Sequence, residues 1–254
     1  MKRFLILLAV LSSTAAVPAH ALPGVGVGAR GMYWFPDLSG TVQTFDPVIG
    51  GTKFDLTDDV GIGEEDFPSG EVFLRLSRVT FRVGYTPVEF DGSQQLTREI
   101  RFGGQIFSLG ENVVSRLDVK MIDGEVQFDL LRPDVAAVAF NLGLIVKVKY
   151  VDGEVELRSA TVSEMRDFEA PLPMVGAAAG VGFLKDMVRV DARVSGIGYS
   201  GNHLLEGDAY ASFAPLPFIR IQGGYRLIDL KIDEDDIVAD LELKGPYVGA
   251  QISF

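Results

Sequence analysis

The feature that most constrains this chain is a period-two alternation of apolar and polar residues, recurring from residue 24 to the last residue, 254. Successive side chains of a β-strand point to opposite faces, so this alternation marks strands whose two faces meet different surroundings. In the first such stretch, 24–35, Val25, Val27, Ala29, Gly31, Tyr33 and Phe35 oppose Arg30, Met32 and Trp34. The next two are about 69–77 and 79–90, where Val72, Leu74, Phe81, Val83 and Tyr85 oppose Glu71, Arg75, Thr80 and Arg82. The fourth ends at Leu131, with Ile122, Val126, Phe128 and Leu130 against Asp123, Glu125, Gln127 and Asp129. Upstream of it Leu117, Val119 and Met121 take the opposite phase, which reads as a bulge or as a hairpin rising beyond a membrane. In the fifth, 135–150, Phe140, Leu142, Leu144, Val146 and Val148 oppose Asn141, Lys147 and Lys149. Five more follow at 171–183, 187–199, about 205–213, 218–231 and about 238–254. Their polar faces carry Arg189, Asp191, Arg193, Glu206, Asp208, Arg220 and Arg226, whereas 171–183 presents Leu172, Met174 and Ala178.

The connections alternate in length. Ser77-Arg78, Arg132-Pro133-Asp134, Lys185-Asp186 and Ala214–Pro217 are tight, and 36–68, 91–113, 151–170, 200–204 and 232–237 are generally longer. Short turns on one side and longer loops on the other are the habit of transmembrane barrels. A spanning helix needs about 20 consecutive apolar residues, and nothing beyond the first residues offers such a run. The other way to cross a bilayer is a closed barrel, which pairs every backbone N–H and C=O within its wall. Aromatics fall where such a barrel meets water. Tyr33, Phe35, Tyr85, Tyr150 and Tyr225 lie at the loop ends of their stretches, and Phe183, Phe213 and Phe254 at the turn ends. The expectation is one all-β domain over 22–254: an antiparallel transmembrane β-barrel of about ten strands, with eight or twelve as neighbouring possibilities.

Both ends of the chain fit this reading. Met1-Lys2-Arg3, an apolar run from Phe4 to Leu11 and a small-residue stretch ending Ala19-His20-Ala21 form the pattern of a secretory signal peptide over 1–21. With Leu22 following it and no Cys anywhere in the chain, lipoprotein anchoring, disulfides and thiolate metal sites are excluded. At the other end, Tyr247, Gly249, Ile252 and Phe254 fill the aromatic, glycine, apolar and terminal-aromatic places of a motif. It resembles the C-terminal assembly signal of outer-membrane barrels. The mature chain resembles the small outer-membrane β-barrel proteins of Gram-negative bacteria, the class of OmpA-like and OmpW-like barrels. The stretch Phe54–Ile62 resembles a loop of a poorly characterised group among them. The resemblance implies fold, outer-membrane location, contact with lipid and lipopolysaccharide, and delivery by the barrel-assembly machinery. It carries no activity and no cofactor.

The formal net charge of −12 argues against nucleic-acid binding, which needs clustered Lys and Arg. The excess sits in two segments. Segment 36–68 carries Asp37, Asp46, Asp55, Asp58, Asp59, Glu64, Glu65 and Asp66 against Lys53. Segment 229–244 carries Asp229, Asp233, Glu234, Asp235, Asp236, Asp240 and Glu242 against Lys231 and Lys244. Their oxygens could bind divalent cations, although neither run has EF-hand spacing.

Chemistry inside the barrel would rest on its polar face. The lumen is expected to be lined by Arg30, Arg75, Arg82, Lys147, Arg189, Arg193, Arg220 and Arg226, facing Glu71, Asp123, Glu125, Asp129, Asp191, Glu206 and Asp208. Buried charge is costly unless paired, so the set reads first as ion pairs closing a narrow barrel, and second as the wall of a small-solute pore. Outside these readings stands a barrel hydrolase. It would rest on His203, the one histidine after the signal segment, with Ser200 nearby in sequence, and the expectation is that the chain is not an enzyme. Gly26–Gly31 fits the G-x-G-x-x-G pattern but lacks the strand before it and the helix after it that a dinucleotide site requires. These glycines instead let the first strand curve and pack.

Overall fold

Crossing a bilayer takes a tilted strand of about 9–11 residues, yet β8, β10 and β11 run for 20, 21 and 21 residues. The computed structural model describes residues 24–135, 138–234 and 237–254; the expected signal segment lies outside them. In chain order the strands are β1 (Val25–Trp34), β2 (Asp37–Thr44), β3 (Phe54–Asp55), β4 (Phe67–Leu76), β5 (Val79–Gln95), β6 (Ile100–Phe102), β7 (Gln105–Phe107) and β8 (Asn112–Leu131). After these come β9 (Asp134–Val135), β10 (Val138–Arg158), β11 (Ser163–Phe183), β12 (Val188–Tyr199), β13 (Asn202–Leu216), β14 (Ile219–Glu234) and β15 (Ile237–Ser253).

Ten of them form the wall, in the order β1-β4-β5-β8-β10-β11-β12-β13-β14-β15, and the pairing of β15 with β1 closes it. Every pairing is antiparallel between sequence neighbours along the wall, and the closure joins the first strand to the last. The strand number and topology are those read from the alternation.

The burial pattern divides the wall into two levels. In β10 the outward residues Leu142, Leu144, Val146 and Val148 are exposed, while Ile145, Lys147 and Lys149 point inward and are buried. Past Tyr150 the pleat continues unbroken, but the chemistry inverts. Asp152, Glu154, Glu156 and Arg158 now continue the outward face, and Val151, Val155 and Leu157 the inward one. The same inversion occurs in β8 between Met121 and Ile122, and in β5 after Tyr85, where Val88 and Phe90 are buried. Below this line the outer surface is a continuous apolar belt, including Val83, Val126, Val146, Val175, Ile221 and Val248, each more than a third exposed. No protein surface in water carries such a belt around its whole girth; it suits acyl chains. Tyr33, Tyr85, Tyr150 and Tyr225 stand exposed along its upper edge and Phe183, Phe213 and Phe254 along its lower one. Above the line the outer face is charged and the apolar residues turn into the barrel, as in a water-soluble sheet.

One open sequence reading is resolved and two loop assignments are corrected at this point. The opposite phase of Leu117, Val119 and Met121 is a hairpin rising above the belt and not a bulge, because β8 stays in register with β5 from Asn112 to Phe128. The register breaks lie instead at the turn end, at Leu142/Gly143 and at Phe213/Leu216. Most of segments 91–113 and 151–170 is strand; between β10 and β11 only residues 159–162 form the connection. Segment 36–68 contains β2, which continues β1 in unchanged register against β15, from Asp37↔Lys244 to Thr44↔Ile237. Pro36 separates the two because it has no N–H for the ladder.

The upper level is filled, not hollow. The segment after β2 folds into it and buries Phe54, Leu56, Val60 and Ile62 against Val88, Phe90, Val113 and Leu117. Phe54 meets Phe102 of the β6–β7 hairpin edge-on at 5.8 Å, and Phe67 meets Phe90 at 5.0 Å. Gly92 permits the docking, since a Cβ there would stand 2.5 Å from the carbonyl oxygen of Gly61. Gly28, part of the discarded glycine motif, has a packing role as well, because a Cβ on it would meet the Phe73 ring at 2.4 Å.

Candidate functional site

The candidate site is the lumen at the level of the apolar belt. Each wall strand presents alternate residues to it, so the polar halves of the period-two patterns converge there. Arg30, Glu125, Asp129, Lys147, Glu206 and Arg226 are buried, and Glu71, Arg82, Arg193 and Asp208 are nearly so.

These groups form two interlocked clusters. In the first, the carboxylate of Asp208 on β13 accepts from Arg30 Nη2 at 3.0 Å, Arg193 Nη2 at 2.7 Å and the Tyr247 hydroxyl at 2.6 Å. Arg193 also reaches Glu71 at 3.2 Å, and Arg82 joins Glu125 at 2.5 Å and Gln127 at 2.9 Å. Arg30 is sandwiched further by the Tyr210 ring, 4.7 Å from its guanidinium carbon. In the second cluster Glu206 alone serves three cations: Lys147 at 2.6 Å, Arg226 at 2.7 Å and Lys149 at 3.3 Å. Asp123 shares Lys149 at 2.7 Å and Lys147 at 3.3 Å. Arg226 donates to Thr86 Oγ1 at 3.1 Å and lies 5.0 Å from the Trp34 ring.

The bonds tie strands that are not neighbours in the wall: β1 to β13, β4 to β12, β10 to β13 and β5 to β14. They therefore brace the barrel across its diameter. A cavity of about 50 Å³ remains among them, bordered by Glu71, Arg82, Lys147 and Asp208. Nearer the turns Arg189 binds Asp191 and Asp186, each at 2.9 Å, and also Asn141, while Arg220 donates to the Asp186 carbonyl oxygen at 2.9 Å. Arg75 lies at this level too, with Thr80 as its hydrogen-bond partner.

Members of this lattice missing from the lumen residues expected from sequence include Gln127, Lys149, Thr86, Tyr210 and Tyr247. Lys149 shares the parity of Lys147 and was within reach of the pattern. Thr86 lies just past the apolar run of its strand. Tyr210 and Tyr247 share the polar parity of their strands, with Asp208 and with Gln251, and so were within reach of the same pattern. Tyr247, read there as part of a terminal motif, is 1% exposed and holds both Arg30 and Asp208.

The other candidates are dispersed. His203 is on the outer face of β13, its Nε2 3.3 Å from Asp229 Oδ1. Ser200 occupies the β12–β13 turn at a φ of +52°, and no hydrogen bond joins it to the imidazole. Among the described residues no group of three or more acidic or histidine side chains could hold a metal ion. The Asp55 carboxylate is occupied by the N–H groups of Thr57 and Asp58, and Glu64, Glu65 and Asp66 are spread along an exposed stretch. Asp235 and Asp236 lie outside the described residues.

Asp59 pins the inserted loop. Burial opposes its charge, but hydrogen bonds from Arg98 and from the Asp55 N–H outweigh this and hold its carboxyl below the usual carboxylate range. A lowered folded pKa gives stability that is present above the unfolded value, near 3.9, and lost as pH falls through the folded one. Because Arg98 is half exposed, the pair is worth at most about 1 kcal/mol. Asp59→Asn should therefore lower amide-exchange protection of residues 54–62 about fivefold at pH 7. The difference between the variant and the native protein should shrink as pH falls through the lowered folded pKa of Asp59.

Neither a protein-family model nor a curated protein sequence matches the chain. Solved structures do match in shape. The outer membrane protease OmpT from Escherichia coli superposes with a TM-score of 0.59 at 7% identity, over 95% of this chain and 99% of that one. Neisserial surface protein A aligns at 13% identity over 91% of this chain and 97% of that one, with a TM-score of 0.37. At 7% identity the likeness to the protease concerns the fold alone. The fold is that of the small outer-membrane β-barrels of Gram-negative bacteria.

Proposed function

We propose that the chain is an integral outer-membrane barrel whose lumen is closed to solutes, and that it works through the structure it raises above the membrane. One observation carries this reading: the cross-lumen lattice centred on Asp208 and Glu206, with an apolar core packed over it. A pore would need a water-filled path, whereas here buried cations and carboxylates are matched at hydrogen-bond distance from strand to strand. In this reading the upper level is a rigid platform. Its charged outer face lies at the height of lipopolysaccharide head groups, and its loops are free to meet surface partners.

Proteoliposomes test this. Vesicles containing the refolded protein should swell in isotonic arabinose no faster than empty vesicles; swelling at porin-like rates would favour the small-solute pore. A hydrolase has the His203–Asp229 pair in its favour, since a carboxylate can orient an imidazole for general-base work. The pair, however, faces away from the lumen.

A further inference from the structure

We propose that the turn-end half of the lumen is a binding pocket for a small oxyanion, a carboxylate or phosphate group, held between Arg75 and Arg132. A cavity of about 580 Å³ occupies this half of the barrel. Six arginines line it: Arg75, Arg82, Arg132, Arg189, Arg193 and Arg220.

Four of the six are neutralised by partners already described. Arg82 and Arg193 serve Glu71, Glu125 and Asp208 at the inner end, and Arg189 and Arg220 share Asp186 and Asp191. Among the described residues the remaining two are not. Arg75 has only the Thr80 hydroxyl, 3.5 Å from its Nε, and Arg132 donates to the carbonyl oxygen of Ser77 at 3.0 Å. Neither makes an ion pair among the described residues. Among the described residues of the cavity wall, Asp129 accepts from Gln127 Nε2 at 2.6 Å. Phe254 also borders the cavity.

Arg132 and Arg82 repel Arg75 more strongly than Asp129 attracts it. Two guanidinium groups that border one cavity and repel each other are unfavourable until an anion joins them, and their planar forks match the geometry of carboxylate and phosphate oxygens. The cavity is roomy enough for a small metabolite or for the charged end of a longer chain. That the cavity faces the periplasm rests on the membrane orientation proposed above; the pocket itself does not.

Calorimetric titration of the refolded full barrel in detergent micelles, with sodium phosphate and separately with sodium succinate, tests the pocket. Saturable one-to-one uptake of at least one probe is expected, and the probe that binds identifies the group recognised. Arg75→Gln combined with Arg132→Gln should weaken uptake by about tenfold or more. Arg116→Gln, which removes an outer-wall partner of Asp91, should leave uptake unchanged. Should the double variant fail to fold, Arg75→Lys asks the same question by keeping the charge and removing the fork, and weaker uptake is again expected. No saturable heat from either probe, or native affinity in the arginine variants, would overturn the proposal. A barrel that conducts ions would overturn the closed-lumen reading and leave this outcome untouched.

Discussion

Glu206→Gln is expected to destabilise the folded barrel by about 3–5 kcal/mol, the usual cost of removing one partner from a buried ion pair. Glu206 is 7% exposed and is the shared acceptor of Lys147, Lys149 and Arg226. The amide would leave Lys147 and Lys149 with Asp123 as their remaining carboxylate, and Arg226 without an ion-pair partner among the described residues. Urea unfolding in lipid vesicles measures the effect. Trp34, the single tryptophan, is a suitable reporter because its ring lies against Arg226 of the same cluster. A change below about 1 kcal/mol is the level of an exposed pair and would mean that water reaches the cluster freely. The hydrogen-bonded closure of the lumen would then be lost as an explanation.

The second large effect concerns the outer face. Leu144 and Glu154 lie on the same strand and the same face, but on opposite sides of the line at Tyr150. Leu144→Arg puts a charge near the middle of the apolar belt and should cost about 2–4 kcal/mol. Glu154→Arg changes charge by the same sign on a face turned to water and should stay within about 0.5 kcal/mol. The comparison is made by urea titration of both variants in vesicles of one lipid. Equal costs would mean that the line at Tyr150 is not the membrane border and that the inversion of the pattern has another cause.

That inversion also explains what could be read from the sequence. In the belt, apolar residues face lipid and polar ones face the lumen, and ten stretches of this kind gave the strand number, the faces and the girdles. Above the belt the backbone is unchanged, but water replaces lipid outside. Val151, Val155 and Leu157 then move to the inner face and Asp152, Glu154 and Glu156 to the outer one. A reading that follows only one phase ends the strand at Tyr150 and turns its upper half into a loop. The alternation itself runs on to Arg158. Segment 36–68 was harder to read, because Ser39, Gly40, Thr41 and Gln43 dilute the pattern around Leu38 and Val42.

The site was legible in composition but not in partnership. Which charges face inward followed from parity. That Arg30 meets Asp208 across 178 residues does not follow from any local pattern, because it depends on how the closed wall is staggered. The same holds for Tyr247, whose hydroxyl links the closing strand to that pair. In the first acidic segment Asp55 caps backbone N–H groups and Asp59 holds Arg98, partnerships that the local sequence does not show.

Single-channel recording in a planar bilayer tests the closed lumen most directly, once heat-modifiable gel mobility has established that the protein is folded. The account predicts a silent membrane, with no discrete current steps while the lattice is intact. Reproducible unitary steps, with ion selectivity that shifts when Arg82 is replaced by Glu, would show an open aqueous path through the same residues and would contradict it.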